Sequence, residues 1–250
     1  MTHRKPYQGV WNIIRFNYHF YLVAIVALVA IGCFAVFLPS DYFIFAILVF
    51  VSVLITTLTS LLVSFYIYDI SDLYKLNWLT KIGLETILKQ KIINIHAGFD
   101  ETSPLLAQKF PNSELSVFDF YDAEKHTEIS IKRARKVYPP YPNTKVIQTT
   151  NLPITDKSID TIFLFLAAHE IRNSEERTQF FKDLKRICKE DGQIILIEHL
   201  RDIPNFLAYT IGFLHFLSSD SWLKNFQDAN LSLVNRFKIT PFITVFILKI

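Results

Sequence analysis

The stretch that decides the fold is residues 151–197, NLPITDKSIDTIFLFLAAHEIRNSEERTQFFKDLKRICKEDGQIILI. Its run at 158–166 is nearly continuous in Ile, Phe and Leu, which is typical of a strand buried on both faces of a sheet. Apolar side chains then recur at helical spacing over 175–189, Asp191-Gly192 predicts a turn, and 193–197 predicts another strand. A strand, a helix and a second strand in this order predict a parallel pair joined by a crossover helix.

The same alternation extends to both sides of that stretch. Short apolar runs predict further strands and a closing β-hairpin, at 91–96, 115–119, 145–147, 231–239 and 242–250. Helical spacing predicts helices between them, at 69–90, 103–110, 124–137 and 204–226. The alternation predicts a doubly wound α/β sheet, in which ligands bind beyond the carboxyl ends of the strands.

Three polar clusters fall at predicted strand ends. His96-Ala97-Gly98 follows the first strand, Asp119 ends the second, and His169-Glu170 follows the fourth. Asp119 comes 21 residues after Gly98, a spacing that fits an acid binding ribose hydroxyls after a glycine turn. The usual motif has three glycines and this chain has one, so a plain strand-to-helix turn is the alternative.

The order of elements and several local strings resemble the class I S-adenosylmethionine-dependent methyltransferases. Residues 151–160, NLPITDKSID, and 180–196, FFKDLKRICKEDGQIIL, are similar to the subgroup that includes the ubiquinone and menaquinone C-methyltransferases. The resemblance covers about residues 70–250 and implies a Rossmann-like, seven-stranded methyltransferase domain with S-adenosyl-L-methionine as cofactor. Asn94 departs from it by replacing the usual acid of the first strand, and His96 and Asp100 stand where glycines would be.

The resemblance also implies roles for individual residues. The loop from His96 to Phe99 would contact the methionine part of the cofactor, and Asp119 would accept hydrogen bonds from the ribose. The adenine would stack on Phe120, and Leu166 and Ala167 would form the floor of the cofactor pocket below the sulfonium. The predicted cofactor-binding residues are therefore His96, Ala97, Gly98, Phe99, Asp119, Phe120, Thr150, Asn151 and Ala167.

Catalysis is predicted at the end of the fourth strand. His169 is the first candidate for a base, because imidazole titrates near neutrality, and Glu170 is its neighbour. The alternative is that His169 packs at the strand end and that Glu170 pairs with Arg172. A second polar cluster, His199-Leu200-Arg201-Asp202, follows the fifth strand and fits either a local salt bridge or substrate contact. No metal site is predicted, since no zinc-type spacing occurs.

Residues 1–68 differ from residues 69–250 in their content of charged residues. They hold three bases and one acid, whereas the rest of the chain holds 23 bases and 22 acids. Residues 20–38 and 42–68 carry no charge and are each long enough to cross a hydrocarbon core of about 30 Å, so they predict a transmembrane hairpin. The positive-inside rule places the N-terminus and the globular domain in the cytoplasm, with a bacterial inner membrane as the expected location. A signal peptide and a buried soluble hairpin are the alternatives.

Composition restricts the partners. A net charge of +3 on 250 residues does not indicate a nucleic-acid binder, and the two cysteines form no disulfide framework. The apolar run at 204–217 beside a membrane segment predicts a roof over an apolar acceptor. We therefore expect a membrane-anchored methyltransferase for a hydrophobic small molecule or lipid acceptor: quinone-like, of the aromatic polyene or resorcinol type, or a lipid.

Two other functions stay open at this point. The altered glycine loop favours a catalytically degenerate scaffold or sensor at the membrane, and the strand–turn–helix unit also occurs in nicotinamide-dependent enzymes. A homo-oligomer is left open by the sequence. The acceptor atom, whether O, N or C, cannot be read from the residues.

Overall fold

A seven-stranded sheet forms the centre of the protein. The computed structural model describes residues 4–84, 89–125 and 128–250. The strands are β1 Lys91–His96, β2 Glu114–Asp119, β3 Lys145–Val146, β4 Ile159–Phe165, β5 Cys188–His199, β6 Ser232–Thr240 and β7 Ile243–Lys249. They lie in the order β3-β2-β1-β4-β5-β7-β6, with β1 to β5 parallel and β7 antiparallel to both neighbours. The predicted seven-stranded α/β sheet with its closing hairpin is confirmed.

Helices cover both faces of the sheet. They are α1 Gln8–Phe16, α2 Tyr18–Ala35, α3 Ser40–Phe65, α4 Ser103–Lys109, α5 Ile129–Val137, α6 Ser174–Ile187, α7 Ile203–Tyr209 and α8 Ser219–Asp228. Side chains alternate along β4, so Ile162 and Leu164 join one apolar core with α6 and α8. Phe163 and Phe165 join the other core, under the chain that follows α3. The unbroken apolar pattern of the strand follows from this double burial.

The N-terminal hairpin consists of α2 and α3. Tyr18–Ala35 and Ser40–Ile70 are long and apolar enough to cross a membrane by length and composition, and their apolar side chains face outward. The helices start two residues earlier than the predicted spans of 20–38 and 42–68. Pro39 lies at the break between the two helices, because a proline has no N–H to donate inside a helix. Beyond Phe65 the chain makes one π-turn, Tyr66–Ile70, before it enters the globular part.

The predicted helix at 69–90 is wrong for most of its length. The described part of this segment holds one short 3-10 helix, Asn77–Ile82, and residues 85–88 lie outside the described ranges. Leu76 and Gly83 flank that helix, and their φ angles are 57° and 69°. Left-handed residues stop an α-helix, although Leu73, Leu76 and Leu79 are buried as the spacing predicted.

Two other predictions about elements also need correction. No turn interrupts β5 at Asp191-Gly192, because the strand runs from Cys188 to His199. Between its pairs with Ile159 and Thr161, β4 advances two residues while β5 advances five, so the extra residues bulge out of the ladder. The predicted helix at 204–226 is broken into α7, a 3-10 helix at Thr210–His215 and α8, and Thr210 has a φ of 50°.

Candidate functional site

A cavity of about 640 Å³ joins the carboxyl ends of the sheet to the hairpin. Its wall contains the predicted residues His96, Ala97, Phe99, Ala167, His169 and Glu170. The hairpin contributes side chains from both α2 and α3, among them Tyr21, Ala24, Thr57 and Ser60. The sheet topology explains the first group, since β1 and β4 are central neighbours whose carboxyl ends meet at one edge.

His96 presents an unpartnered polar atom to this cavity. Its ring is 4% exposed, and its Nδ1 accepts a hydrogen bond from the Gly98 N–H at 3.1 Å. Burial lowers the pKa of His96 against the opposing effects of Asp100 and Asp119, so the ring is neutral and Nε2 carries the proton. In the described part of the chain, Nε2 has no acceptor. A buried donor without a partner fits a ligand oxygen, such as the carboxylate of a methionine moiety.

The predicted ribose acid is engaged by an arginine. Asp119 is 3% exposed, and its Oδ1 accepts from the Tyr121 N–H at 2.9 Å. Its Oδ2 accepts from Arg135 Nη1 at 2.5 Å, and the same Nη1 donates to the Gly98 carbonyl at 3.3 Å. Gly98 has a φ of 93°, and a Cβ there would lie 2.9 Å from the Tyr121 ring. Arg135 therefore links the glycine turn to the end of β2 by hydrogen bonds to both.

Three other predicted cofactor-binding residues, Phe120, Thr150 and Asn151, do not line the cavity. Phe120 is buried and packs on Phe180, with ring centroids 5.8 Å apart. Thr150 and Asn151 are exposed in a turn closed by a bridge between Gln148 and Asn151. Their roles stay predictions, and the structure brings together only the methionine end of the predicted cofactor site.

His169 and Glu170 line the cavity from the short 3-10 helix Ala168–Glu170 that follows β4. His169 Nδ1 is 2.7 Å from Glu198 Oε2, and its Nε2 is 3.2 Å from Glu170 Oε1. Both carboxylates are buried, and Glu198 is fully so. Burial acts to lower the pKa of His169, but Glu198 and Glu170 outweigh it and raise the pKa to about 10. The alternative pairing of Glu170 with Arg172 is not what the structure shows.

His215 completes the cluster from a distant segment. Its Nε2 is 3.3 Å from Glu170 Oε1, and its Nδ1 is 2.9 Å from Glu128 Oε1. Arg172 reaches the same ring and donates to the His215 carbonyl at 2.6 Å. Sequence reasoning missed Glu198, His215 and Glu128 as site residues. An acid inside the apolar strand QIILIEH was a signal for Glu198, whereas nothing local marked Glu128.

The second predicted polar cluster divides into two parts. His199 lines the cavity, where its Nε2 is 2.9 Å from Tyr68 Oη and its Nδ1 is 3.0 Å from Asn205 Oδ1. Asp202 instead caps the N-terminus of α7 and pairs with Lys238 at 3.1 Å. Arg201 donates to the carbonyls of the 3-10 helix and its neighbour. Asp202 and Arg201 therefore have local structural roles.

Helix α1 closes one side of the cavity, which the sequence did not predict. Gly9, Asn12, Ile13 and Phe16 face the cavity. Asp69 accepts from the backbone N–H groups of Gly9 and Val10 at 2.7 and 2.8 Å, which caps the helix from another element. At the other end Arg133 donates to the Phe16 carbonyl at 2.6 Å. These bonds tie the first helix to the π-turn after α3 and to α5.

Comparisons with known proteins agree with this architecture. Residues 102–196 match the family model of a methyltransferase domain. The demethylmenaquinone methyltransferase of Thermotoga maritima is 27% identical over 121 residues, which are 48% of this chain and 48% of that protein. The chain thus matches about half the length of this curated relative.

Solved structures share the fold at low sequence identity. A methyltransferase from Haloferax volcanii, solved in complex with a methyltransferase activator, aligns with a TM-score of 0.51 and 10% identity over 71% of this chain and 90% of that one. An S-adenosylmethionine-dependent methyltransferase from Clostridium acetobutylicum aligns with a TM-score of 0.50 and 13% identity, over 71% and 89% of the two chains. The strand order and these neighbours agree on the fold, and residues 102–196 of the chain match a methyltransferase domain.

Proposed function

We propose that the protein is a membrane-anchored methyltransferase that transfers a methyl group from S-adenosylmethionine to a hydrophobic, membrane-associated acceptor. The observation that carries this proposal is the single cavity whose wall comes both from the strand ends and from the apolar hairpin. An acceptor that reaches the strand ends through this cavity contacts α2 and α3 on the way. The chemistry of these walls favours an amphiphile: a quinone-like, aromatic polyene or resorcinol-type compound, or a lipid.

The cofactor is expected at the β1 end of the cavity. When bound, S-adenosylmethionine supplies an electrophilic methyl group on a sulfonium. His96 Nε2 would donate to its carboxylate, and the turn at Gly98 would let the backbone approach closely. Asp119 would hold the ribose once Arg135, whose side chain is 37% exposed, has turned away from it.

The acceptor's reacting group is expected at His169 and Glu170. Glu198 holds His169 by Nδ1, so that Nε2 points to the oxygen of Glu170 inside the cavity. With a pKa of about 10 the ring carries a proton at neutral pH and binds an anionic or hydrogen-bonding acceptor oxygen. To act as a base, His169 must first release its proton. Rotation of the Glu170 carboxylate from the ring to the acceptor would lower the pKa of His169 and so favour that release.

The apolar part of the acceptor is expected between the hairpin and the segment after α7. Ile211 and Gly212 line the cavity from that segment, as do Tyr209 at the end of α7 and Ser60 of α3. The small side chain of Ser60 leaves room that a large residue would fill. An aliphatic or polyene tail would leave the cavity at this point for the bilayer.

A calorimetric titration and a labelling assay test the proposal. Calorimetry of the full chain in detergent with S-adenosylmethionine, S-adenosylhomocysteine and NADH should show binding of the first two, lost in Asp119→Ala. Methyl-tritiated S-adenosylmethionine incubated with membranes of the source organism should label the organic phase. Absence of binding by folded protein would leave the degenerate scaffold as the better account. Binding without any labelling would indicate the sensor, and binding of NADH alone would indicate the nicotinamide-dependent alternative.

A matched pair of hairpin variants tests the route of the acceptor. Ser60→Trp should fill the cavity and reduce labelling at least tenfold while S-adenosylhomocysteine binding stays unchanged. Leu58→Trp is the control, because Leu58 is 49% exposed and does not line the cavity. Equal labelling by both variants would contradict a route past the hairpin.

A further inference from the structure

Three side chains at the acceptor end converge as metal ligands do. Nε2 of His169 and Nε2 of His215 lie 3.2 and 3.3 Å from the same oxygen, Glu170 Oε1. One potential ligand atom from each residue lies within 4.8 Å of the others. Tetrahedral ligands about 2.0–2.2 Å from a common ion are about 3.3–3.6 Å apart, which is close to the two histidine–glutamate distances. To surround a cation, the triad needs small side-chain shifts and the release of the proton that His169 holds between Glu198 and Glu170.

Each histidine is held by a further carboxylate on its other nitrogen. Glu198 Oε2 lies 2.7 Å from Nδ1 of His169, and Glu128 Oε1 lies 2.9 Å from Nδ1 of His215. This arrangement directs both Nε2 atoms to the same point. Metal-ligating histidines in proteins are held in the same way, because the carboxylate fixes the tautomer and makes the free nitrogen a better ligand.

The charges around the triad also favour a cation. Three carboxylates, those of Glu128, Glu170 and Glu198, face the two imidazoles. Among the described residues Arg172 also approaches this cluster, and its Nη2 contacts both ring nitrogens of His215, with 2.8 Å to Nε2. Arg172 is exposed, so its end group can turn to solvent, whereas His169 and Glu170 are buried and His215 is half-buried.

We propose that His169, Glu170 and His215 bind one divalent transition-metal ion, with Glu198 and Glu128 as positioning residues. Two imidazole nitrogens and one carboxylate favour Zn²⁺, Mn²⁺, Fe²⁺ or Co²⁺ over Mg²⁺ and Ca²⁺, which prefer oxygen ligands. The triad lines the cavity, so the remaining coordination positions are open to it. This deepens the proposed function: it selects acceptors with a hydroxyl or carbonyl oxygen that an ion can bind.

The test uses the full chain in detergent, treated with a chelator and dialysed. Calorimetric titration with Zn²⁺ and Mn²⁺ at pH 8 and elemental analysis should give one ion per chain. Co²⁺ should produce visible absorption bands. His215→Ala should lower the affinity at least about 100-fold, and Glu198→Gln about 10- to 100-fold. His199→Gln is the matched control, because this histidine lines the same cavity without joining the triad.

Two outcomes would overturn the proposal. One is the absence of stoichiometric binding by wild-type protein that still unfolds cooperatively, which would leave the cluster as an ion-pair network. The other is equal binding by wild type and His215→Ala, which would place the ion elsewhere. Binding of S-adenosylhomocysteine is measured on the same samples. Its loss would count against the proposed function, whereas the metal titration judges the ion site by itself.

Discussion

At the scale of single residues, Arg135 engages the acid that we expect to bind the cofactor. It bonds Asp119 and the Gly98 carbonyl, the two groups that flank the expected position of a ribose. A cofactor must therefore compete with the guanidinium for the carboxylate. The sequence marked Asp119 by its spacing from Gly98, but it could not show that a helix 16 residues later supplies a cation to the same oxygen.

Removing this competitor should strengthen cofactor binding. We expect Arg135→Ala to bind S-adenosylhomocysteine up to about fivefold more tightly, since a partly exposed ion pair is worth about 1 kcal/mol or less. Calorimetry in detergent measures this. Lys136→Ala, an exposed neighbour on α5, should leave the affinity unchanged. Weaker binding by Arg135→Ala would show instead that the guanidinium contacts the cofactor.

His199 makes stability depend on pH. Asn205 donates to other groups through Nδ2, so its Oδ1 accepts from His199 Nδ1, and Nε2 accepts from the Tyr68 hydroxyl. Burial lowers the pKa of His199 to about 4, helped by nearby His169 and opposed by Asp202. The folded state thus disfavours the charged ring. About 3 kcal/mol of stability is present above pH 6.5 and is lost as the pH falls toward 4.

Thermal unfolding of the protein in detergent between pH 4 and 7.5 measures this effect. His199→Gln keeps one donor and one acceptor without a titrating ring, so its melting temperature should fall less steeply with acid. Identical pH profiles for both proteins would show that His199 does not titrate on unfolding. The other acid-sensitive groups are common to both proteins and cancel in the difference.

At the scale of elements, the irregular start of β5 depends on a glycine. A Cβ on Gly192 would lie 2.7 Å from Cys188 Sγ and 2.9 and 3.0 Å from the carbonyl oxygens of Asp160 and Ile159. The bulge therefore packs against the backbone of β4 more closely than any side chain permits. The turn that the dipeptide Asp-Gly predicted is wrong, because pairing with β4 keeps the chain in the sheet and the irregularity appears as a bulge.

We expect Gly192→Ala to destabilise the domain by about 1–3 kcal/mol, the usual cost of overpacking. Chemical denaturation followed by circular dichroism measures it. Gly32→Ala is the control, because a Cβ at Gly32 meets nothing within 4 Å. A destabilisation of the same size in both variants would argue against the close packing at the bulge.

At the scale of the whole molecule, the hairpin and the globular domain build one cavity together. Helix α1 packs on α3, on α5 and on the π-turn, so the N-terminal segment is part of the site wall as well as a candidate anchor. If α2 and α3 cross a membrane with the flanking bases inside, the turn near Ser40 lies on the far side.

Cysteine labelling tests that orientation. In a Cys33→Ser background, Ser40→Cys should react with a membrane-impermeant maleimide in spheroplasts. Asp228→Cys, exposed on α8, should react only after lysis, and the natural Cys188 is buried. Reaction of Asp228→Cys in intact spheroplasts would place the domain outside, and equal reaction of both sites without lysis would rule out the hairpin as a span.

What the sequence determined by itself is the set of strands, their alternation with helices and the two uncharged spans. These follow from local periodicity and charge, which are properties of neighbouring residues. It also placed His96, His169 and Glu170 at the edge where ligands bind, since parallel strands end together. Only the tertiary structure decided that Arg135 covers Asp119 and that His215 meets Glu170. Those contacts join residues 16 and 45 positions apart through packing of whole elements, which local patterns do not record.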